Sequence, residues 1–93
     1  MTLLGRGSLS AGYYQEIPYV LTASVPYMLT VSSDDPTVIY DLDLFDENGH
    51  MVATSPVEGP IAMCQVTPAW TGSFVVRVTG RRGTGMFSLI SEP

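Results

Sequence analysis

The chain contains no lysine, one cysteine, one histidine and one tryptophan. A lone cysteine, Cys64, excludes an internal disulfide. With His50 as the only imidazole, it also excludes a zinc site built from several cysteines and histidines. No apolar run approaches the roughly 20 residues that a membrane-spanning helix requires, so membrane insertion is not expected. Met1-Thr2-Leu3-Leu4-Gly5-Arg6 lacks the basic, apolar and cleavage regions of a secretory leader. Two compartments stay open: the cytoplasm for a whole native chain, the exterior for a module excised from a secreted protein. Four arginines against nine acidic residues leave a net charge of −5. That balance removes the basic face which phosphate contacts need and argues against nucleic acid. No segment shows a sustained helical period, which points away from helix-containing fold classes.

What is present suits a small β-domain. Ninety-three residues form one domain, 1–93, that buries about 60–65% of its unfolded surface. Nine glycines and seven prolines spread along the chain supply many turns. The clearest stretch is 38–53, VIYDLDLFDENGHMVA. Tyr40, Leu42 and Leu44 fall on one face and Asp41, Asp43 and Phe45 on the other, the period of a half-buried strand. Asp46-Glu47-Asn48-Gly49 supplies turn chemistry, since Asn and Gly adopt positive φ at little cost. The chain returns over 50–54, and this hairpin is expected to organise the rest.

Other strands follow the same logic. A weak, glycine-broken start over 3–10 suggests a short edge strand at 7–9. Residues 14–21 alternate with Ile17, Tyr19 and Leu21 on one face, and mid-strand Pro18 marks an edge. Residues 27–32 place Tyr27, Leu29 and Val31 inward, and the two runs read as an antiparallel hairpin. Loops are expected at 33–36 and 55–60, the second broken by Pro56, Gly59 and Pro60. Strands at 61–66 and 73–79 follow, then a glycine-punctuated hairpin loop at 80–85 and a closing strand at 86–90. Strands recurring about every ten residues indicate an all-β, antiparallel, jelly-roll-like sandwich of about seven or eight strands. The expected core is Ile17, Tyr19, Leu21, Tyr27, Leu29, Val31, Leu42, Leu44, Val52, Cys64, Val66, Phe74, Val76, Val78, Phe87 and Leu89. Cys64 alternates with Ala62 and Val66 and reads as a small buried hydrophobe.

Few residues suggest a site. Six acidic groups fall between Asp34 and Glu47. Asp34, Asp35, Asp41 and Asp43 are the candidate ligands for calcium, which takes six to eight oxygens. The competing reading is a set of solvated turn and edge charges that guard against aggregation. No required cofactor is expected. Trp70, in the 67–72 connection, is either a partner-binding aromatic or a cap over the end of the sandwich. Tyr13 and Tyr14 near an edge, and the basic pair Arg81 and Arg82, are further candidate partner-binding residues. No paired acid and base or triad is evident, so no catalysis is expected.

The residues in order resemble bacterial pre-peptidase C-terminal domains. Ala23-Ser24 before Tyr27-Met28-Leu29 is similar to that family's first hairpin. Tyr40-Asp41-Leu42-Asp43-Leu44, Asn48-Gly49 and Val52-Ala53 are similar to its central run. Thr71-Gly72-Ser73-Phe74-Val75-Val76-Arg77-Val78 and Gly85-Met86-Phe87-Ser88-Leu89 are similar to its last two strands. The likeness spans about 9–90. It implies a non-catalytic jelly-roll-like accessory module that assists a secreted hydrolase or grips a polypeptide or polysaccharide surface, with calcium ordering the module in collagen-binding members. Within its 93 residues the chain shows neither a catalytic domain nor the acidic N-terminal linker of the collagen binders, so on this reading it is expected to depart from the family pattern there. The alternative is a self-associating homo-oligomer that uses outward Met28, Val75 and Ile90.

Overall fold

The computed structural model describes residues 1–55 and 59–93. Eight strands follow one another: β1 (Thr2–Ser10), β2 (Tyr14–Leu21), β3 (Tyr27–Ser33), β4 (Ile39–Phe45), β5 (Met51–Thr54), β6 (Ile61–Val66), β7 (Gly72–Arg82) and β8 (Thr84–Glu92). They form two four-stranded antiparallel sheets. Sheet A has the order β1-β8-β3-β6 and sheet B the order β2-β7-β4-β5. Two facing Greek keys with these orders make a jelly roll. The all-β sandwich expected from the alternation is therefore the fold. Of the expected 55–60 loop, Pro56 lies outside the described residues, while Gly59 bridges to Tyr40 and the Pro60 carbonyl accepts from the Ser33 amide.

The core lies between the sheets because each strand turns alternate side chains inward. Leu21, Leu29, Val31, Leu42, Leu44, Val76, Val78 and Leu89 are fully buried, and Phe74, Phe87 and Cys64 nearly so. Ile17, Tyr19 and Val66 pack against this core while partly exposed. Tyr40 joins it, edge-on to Phe87 with ring centroids 6.1 Å apart, and its hydroxyl donates to the Gly85 carbonyl at 3.2 Å. Leu9, Val38 and Ala62 also belong to it.

Several expectations change. The 38–53 hairpin forms, but β5 is an edge of sheet B, and β7, paired with β2 and β4, is the strand that organises that sheet. The 14–21 and 27–32 runs are not a hairpin, because β2 lies in sheet B and β3 in sheet A. The 80–85 segment is likewise no hairpin loop: β7 continues to Arg82, and the chain crosses to sheet A at Gly83. Finally, Val52 is 37% exposed rather than core. Leu44 pairs with Ala53 and Phe45 with Met51, so Val52 is the extra residue of a bulge and loses the inward position that strict alternation assigns it.

The weak start is a full nine-residue strand. Its glycines interrupt the side-chain pattern, but β1 pairs with β8 from Thr2↔Ser91 to Ser10↔Thr84. Gly80 has a specific role nearby. A Cβ there would meet the Ser10 carbonyl oxygen, so only glycine lets the end of β7 approach the β1–β2 turn. Backbone bonds from Gly12 to Gly80 and from Gly80 to Tyr13 fix this corner at 3.0 and 2.9 Å.

Candidate functional site

The candidate residues lie mostly on the outer face of sheet B, where alternation along β2, β7 and β4 leaves Tyr14, Glu16, Arg77, Asp41, Asp43 and Phe45 turned away from the core. Cross-strand register decides which of them meet. Glu16 lies opposite Arg77 and Arg77 opposite Asp43, while Tyr14 and Phe45 sit on diagonal positions to either side. Arg77 therefore occupies the middle of the face. Its Nη2 and Nε donate to Glu16 Oε2 at 3.0 and 3.3 Å. Its guanidinium carbon stands 4.7 Å from the Tyr14 ring centroid and 4.5 Å from that of Phe45. A planar cation held between two aromatic faces and a carboxylate is a preorganised group, with less side-chain freedom left to lose on contact with a partner.

The two arginines at the end of β7 are placed by a second bulge. Ile39 pairs with Arg82 and Tyr40 with Gly80, so Arg81 is the inserted residue. Continued alternation from buried Gly80 would turn Arg82 toward the core. The insertion keeps both guanidinium groups outside. Arg81 Nε donates to Asp41 Oδ2 within the same chain, so the pair is not the plain solvated loop tip suggested by its sequence neighbours. Tyr13 and Tyr14, 69% and 54% exposed, flank the same end. Backbone pairing thus holds the Tyr13 end of β2 beside Gly80, while the Tyr14 ring meets Arg77 and the Arg81 side chain turns to Asp41 on β4. Trp70 is at the opposite end of β7, stacked on Phe74 at 5.6 Å and 26°, a partly exposed cap on the sandwich.

The expected convergence of Asp34, Asp35, Asp41 and Asp43 does not form. Among the described residues no group of three or more His, Cys, Asp and Glu side chains is placed to hold a metal ion. The reason is that three of the four have local partners. Asp35 Oδ1 accepts from the Thr37 amide and hydroxyl at 2.9 and 2.8 Å, which holds its carboxyl below the usual range. Asp41 pairs with Arg81, and Asp43 accepts from the Thr54 hydroxyl at 2.6 Å. Asp46 is committed to the β4–β5 turn: its Oδ1 accepts from the His50 and Asn48 amides, each at 2.9 Å. The His50 amide chiefly depresses its pKa. His50 itself projects into solvent, 3.4 Å from that carboxylate. Burial, with Asp43 nearby, pushes the Cys64 thiol up to about 11, so it stays protonated at neutral pH and is not an activated nucleophile.

Sequence reasoning missed Arg77, Glu16 and Phe45 as members of this face. Their outward phase was readable along each strand, but their meeting depends on β7 lying between β2 and β4, which periodicity does not report.

No protein-family model and no curated protein matches the sequence. Among solved structures, the chain is similar to the crystal structure of the pre-peptidase C-terminal domain of collagenase from Bacillus anthracis, with a TM-score of 0.75 and 15% identity over 94% of this chain and 85% of that one. The resemblance read in the sequence holds at the level of the fold.

Proposed function

We propose that this chain is a non-catalytic accessory module that recognises an extended polypeptide through the outer face of sheet B. The accessory role is supported by a fold shared with a domain of a collagenase. The observation that carries the recognition surface is Arg77, clamped between Tyr14 and Phe45 and bonded to Glu16. Diagonal to it across β7 and β4 lies Asp41, paired with Arg81. Rigid aromatics and arginine on a flat face are the residue types that dominate protein interfaces. The same clamp favours a polypeptide over a polysaccharide. Sugars stack on open aromatic faces, whereas one face each of Tyr14 and Phe45 is already covered by the guanidinium.

The test is retention of the purified chain on immobilised gelatin, casein and fibrillar collagen, with microcrystalline cellulose in parallel. The expected result is retention on at least one polypeptide and none on cellulose. Tyr13→Ala/Tyr14→Ala should reduce retention by roughly tenfold or more, the scale of a lost hot spot, with an unchanged circular dichroism spectrum. Retention on cellulose alone, or polypeptide retention indifferent to both tyrosines, overturns the reading.

A further inference from the structure

Asn48 is the only asparagine of the chain, and Gly49 follows it. Both are exposed at the tip of the β4–β5 hairpin, and a Cβ placed on Gly49 would meet no atom within 4 Å. This pair is chemically unstable in an open chain. The backbone nitrogen of the following residue can attack the asparagine side-chain carbonyl, and glycine has no side chain to hinder the ring that closes. The same two residues make the turn, because Gly49 takes a φ of +82°. The residues that shape this hairpin therefore also carry its reactive bond.

We propose that Asn48 is a site of spontaneous deamidation, and that Asp46 holds the reaction back by keeping the turn closed. Gly49 N loses its proton to hydroxide or a buffer base and bonds to Asn48 Cγ. The Cγ–Nδ2 bond breaks, and Nδ2 takes up a proton and leaves as ammonia. Water then opens the cyclic imide at either carbonyl, leaving an aspartyl or isoaspartyl carboxylate at position 48. One water is consumed and one ammonia released, and nothing is oxidised or reduced.

Asp46 engages the backbone groups that this reaction needs free. The Gly49 amide, the nucleophile, donates to the Asp46 carbonyl at 3.1 Å, so its proton is held within the turn. The Asn48 and His50 amides donate to Asp46 Oδ1, each at 2.9 Å, and the Asp46 amide donates to the His50 carbonyl at 2.8 Å. Both sides of the Asn48–Gly49 bond are thus tied to one buried residue. Attack requires this set of bonds to open locally. An isoaspartyl product adds one atom to the main chain between positions 48 and 49, which shifts the Gly49 and His50 amides away from the Asp46 oxygens. Either product adds a carboxylate beside Asp46 and Glu47 in a chain of net charge −5. The reaction therefore marks an opened turn and opposes its reclosing. It uses none of the groups of the Arg77 clamp, so it is independent of the polypeptide reading, and either can fail alone.

The test incubates the full chain at mildly alkaline pH, folded in buffer and unfolded in urea, and reads conversion at position 48 by peptide mass spectrometry. The expected result is a mixture of isoaspartyl and aspartyl products in urea, forming roughly tenfold or more faster than in the folded chain. Folded Asp46→Ala should deamidate roughly tenfold or more faster than the folded wild type, because two bonds to an ionised acceptor are lost. In urea the variant and the wild type should react at equal rates. Asp46→Ser, whose hydroxyl still accepts from a local amide, should fall between them and carries the test if the alanine variant does not fold. No conversion in urea, or equal rates for the folded and unfolded wild type, overturns the proposal. So does a folded Asp46 variant that deamidates no faster than the wild type, since the restraint would then lie elsewhere.

Discussion

At the scale of single residues, two positions decide much of the local structure. Asp46 is buried, and its carboxylate closes the β4–β5 turn by accepting two backbone amides. Those bonds favour the ionised form, so its pKa in the fold lies below the ordinary 3.8. The unfolded chain binds the proton more tightly. The resulting stabilisation is therefore complete above pH 3.8 and is lost as pH falls through the depressed folded value. The melting temperature of the wild type should drop over this acidic window. Asp46→Ala should melt lower at neutral pH and lose less on acidification, and identical pH profiles for the two proteins would contradict the assignment. Gly80 is the second position. Any side chain there runs into the Ser10 backbone, which cannot swing aside as a side chain would. Gly80→Ala should cost about 1–3 kcal/mol, the range for overpacking. Urea unfolding would show this as a lower midpoint at an unchanged slope.

At the scale of elements, strand existence and facing were legible because alternation is written locally. The inward residues of β3, β4, β6 and β7 are buried or nearly so, as period-two reading requires. Legibility failed where a bulge inserts one residue. Val52 and Arg81 are both such insertions, and no composition signal marks a bulge before the partner strand is known. Pro18 shows an edge device that was readable, since its missing amide would break a central ladder but faces outward on β2. Restoring that donor should make β2 an edge open to pairing. Pro18→Val is therefore expected to retain the fold and to add association beyond that of the wild type, seen as larger species by light scattering at equal concentration. No change in mass would mean that Pro18 is not what keeps β2 unpaired.

At the scale of the whole molecule, the pairing scheme explains why partners could not be read from neighbours. Each connection crosses between the sheets except that joining β4 to β5. Among the described residues only that hairpin therefore pairs strands consecutive in the chain. It carries a clear turn signal, yet only its first strand is central: β4 supplies Tyr40, Leu42 and Leu44 to the interior, while β5 is an edge. The central strands find partners far away: Thr2 pairs with Ser91, and Tyr14 with Thr79. Such contacts require closing long loops before any burial compensates for the lost chain entropy. The domain should consequently fold in the milliseconds-to-seconds range typical of non-local β-topologies, although its chain is short. Because β8 is held between β1 and β3 and β7 between β2 and β4, neither sheet is complete until the last third of the chain docks. Stopped-flow refolding followed by Trp70 fluorescence, sensitive to its stacking on Phe74 at the start of β7, should report a slow phase of this kind. Truncation of β8 should abolish that phase, because it removes Phe87 and Leu89 from the core and leaves β1 without its partner. A truncated chain that refolds at the wild-type rate would show that sheet B assembles alone, and that the interleaved topology does not set the rate.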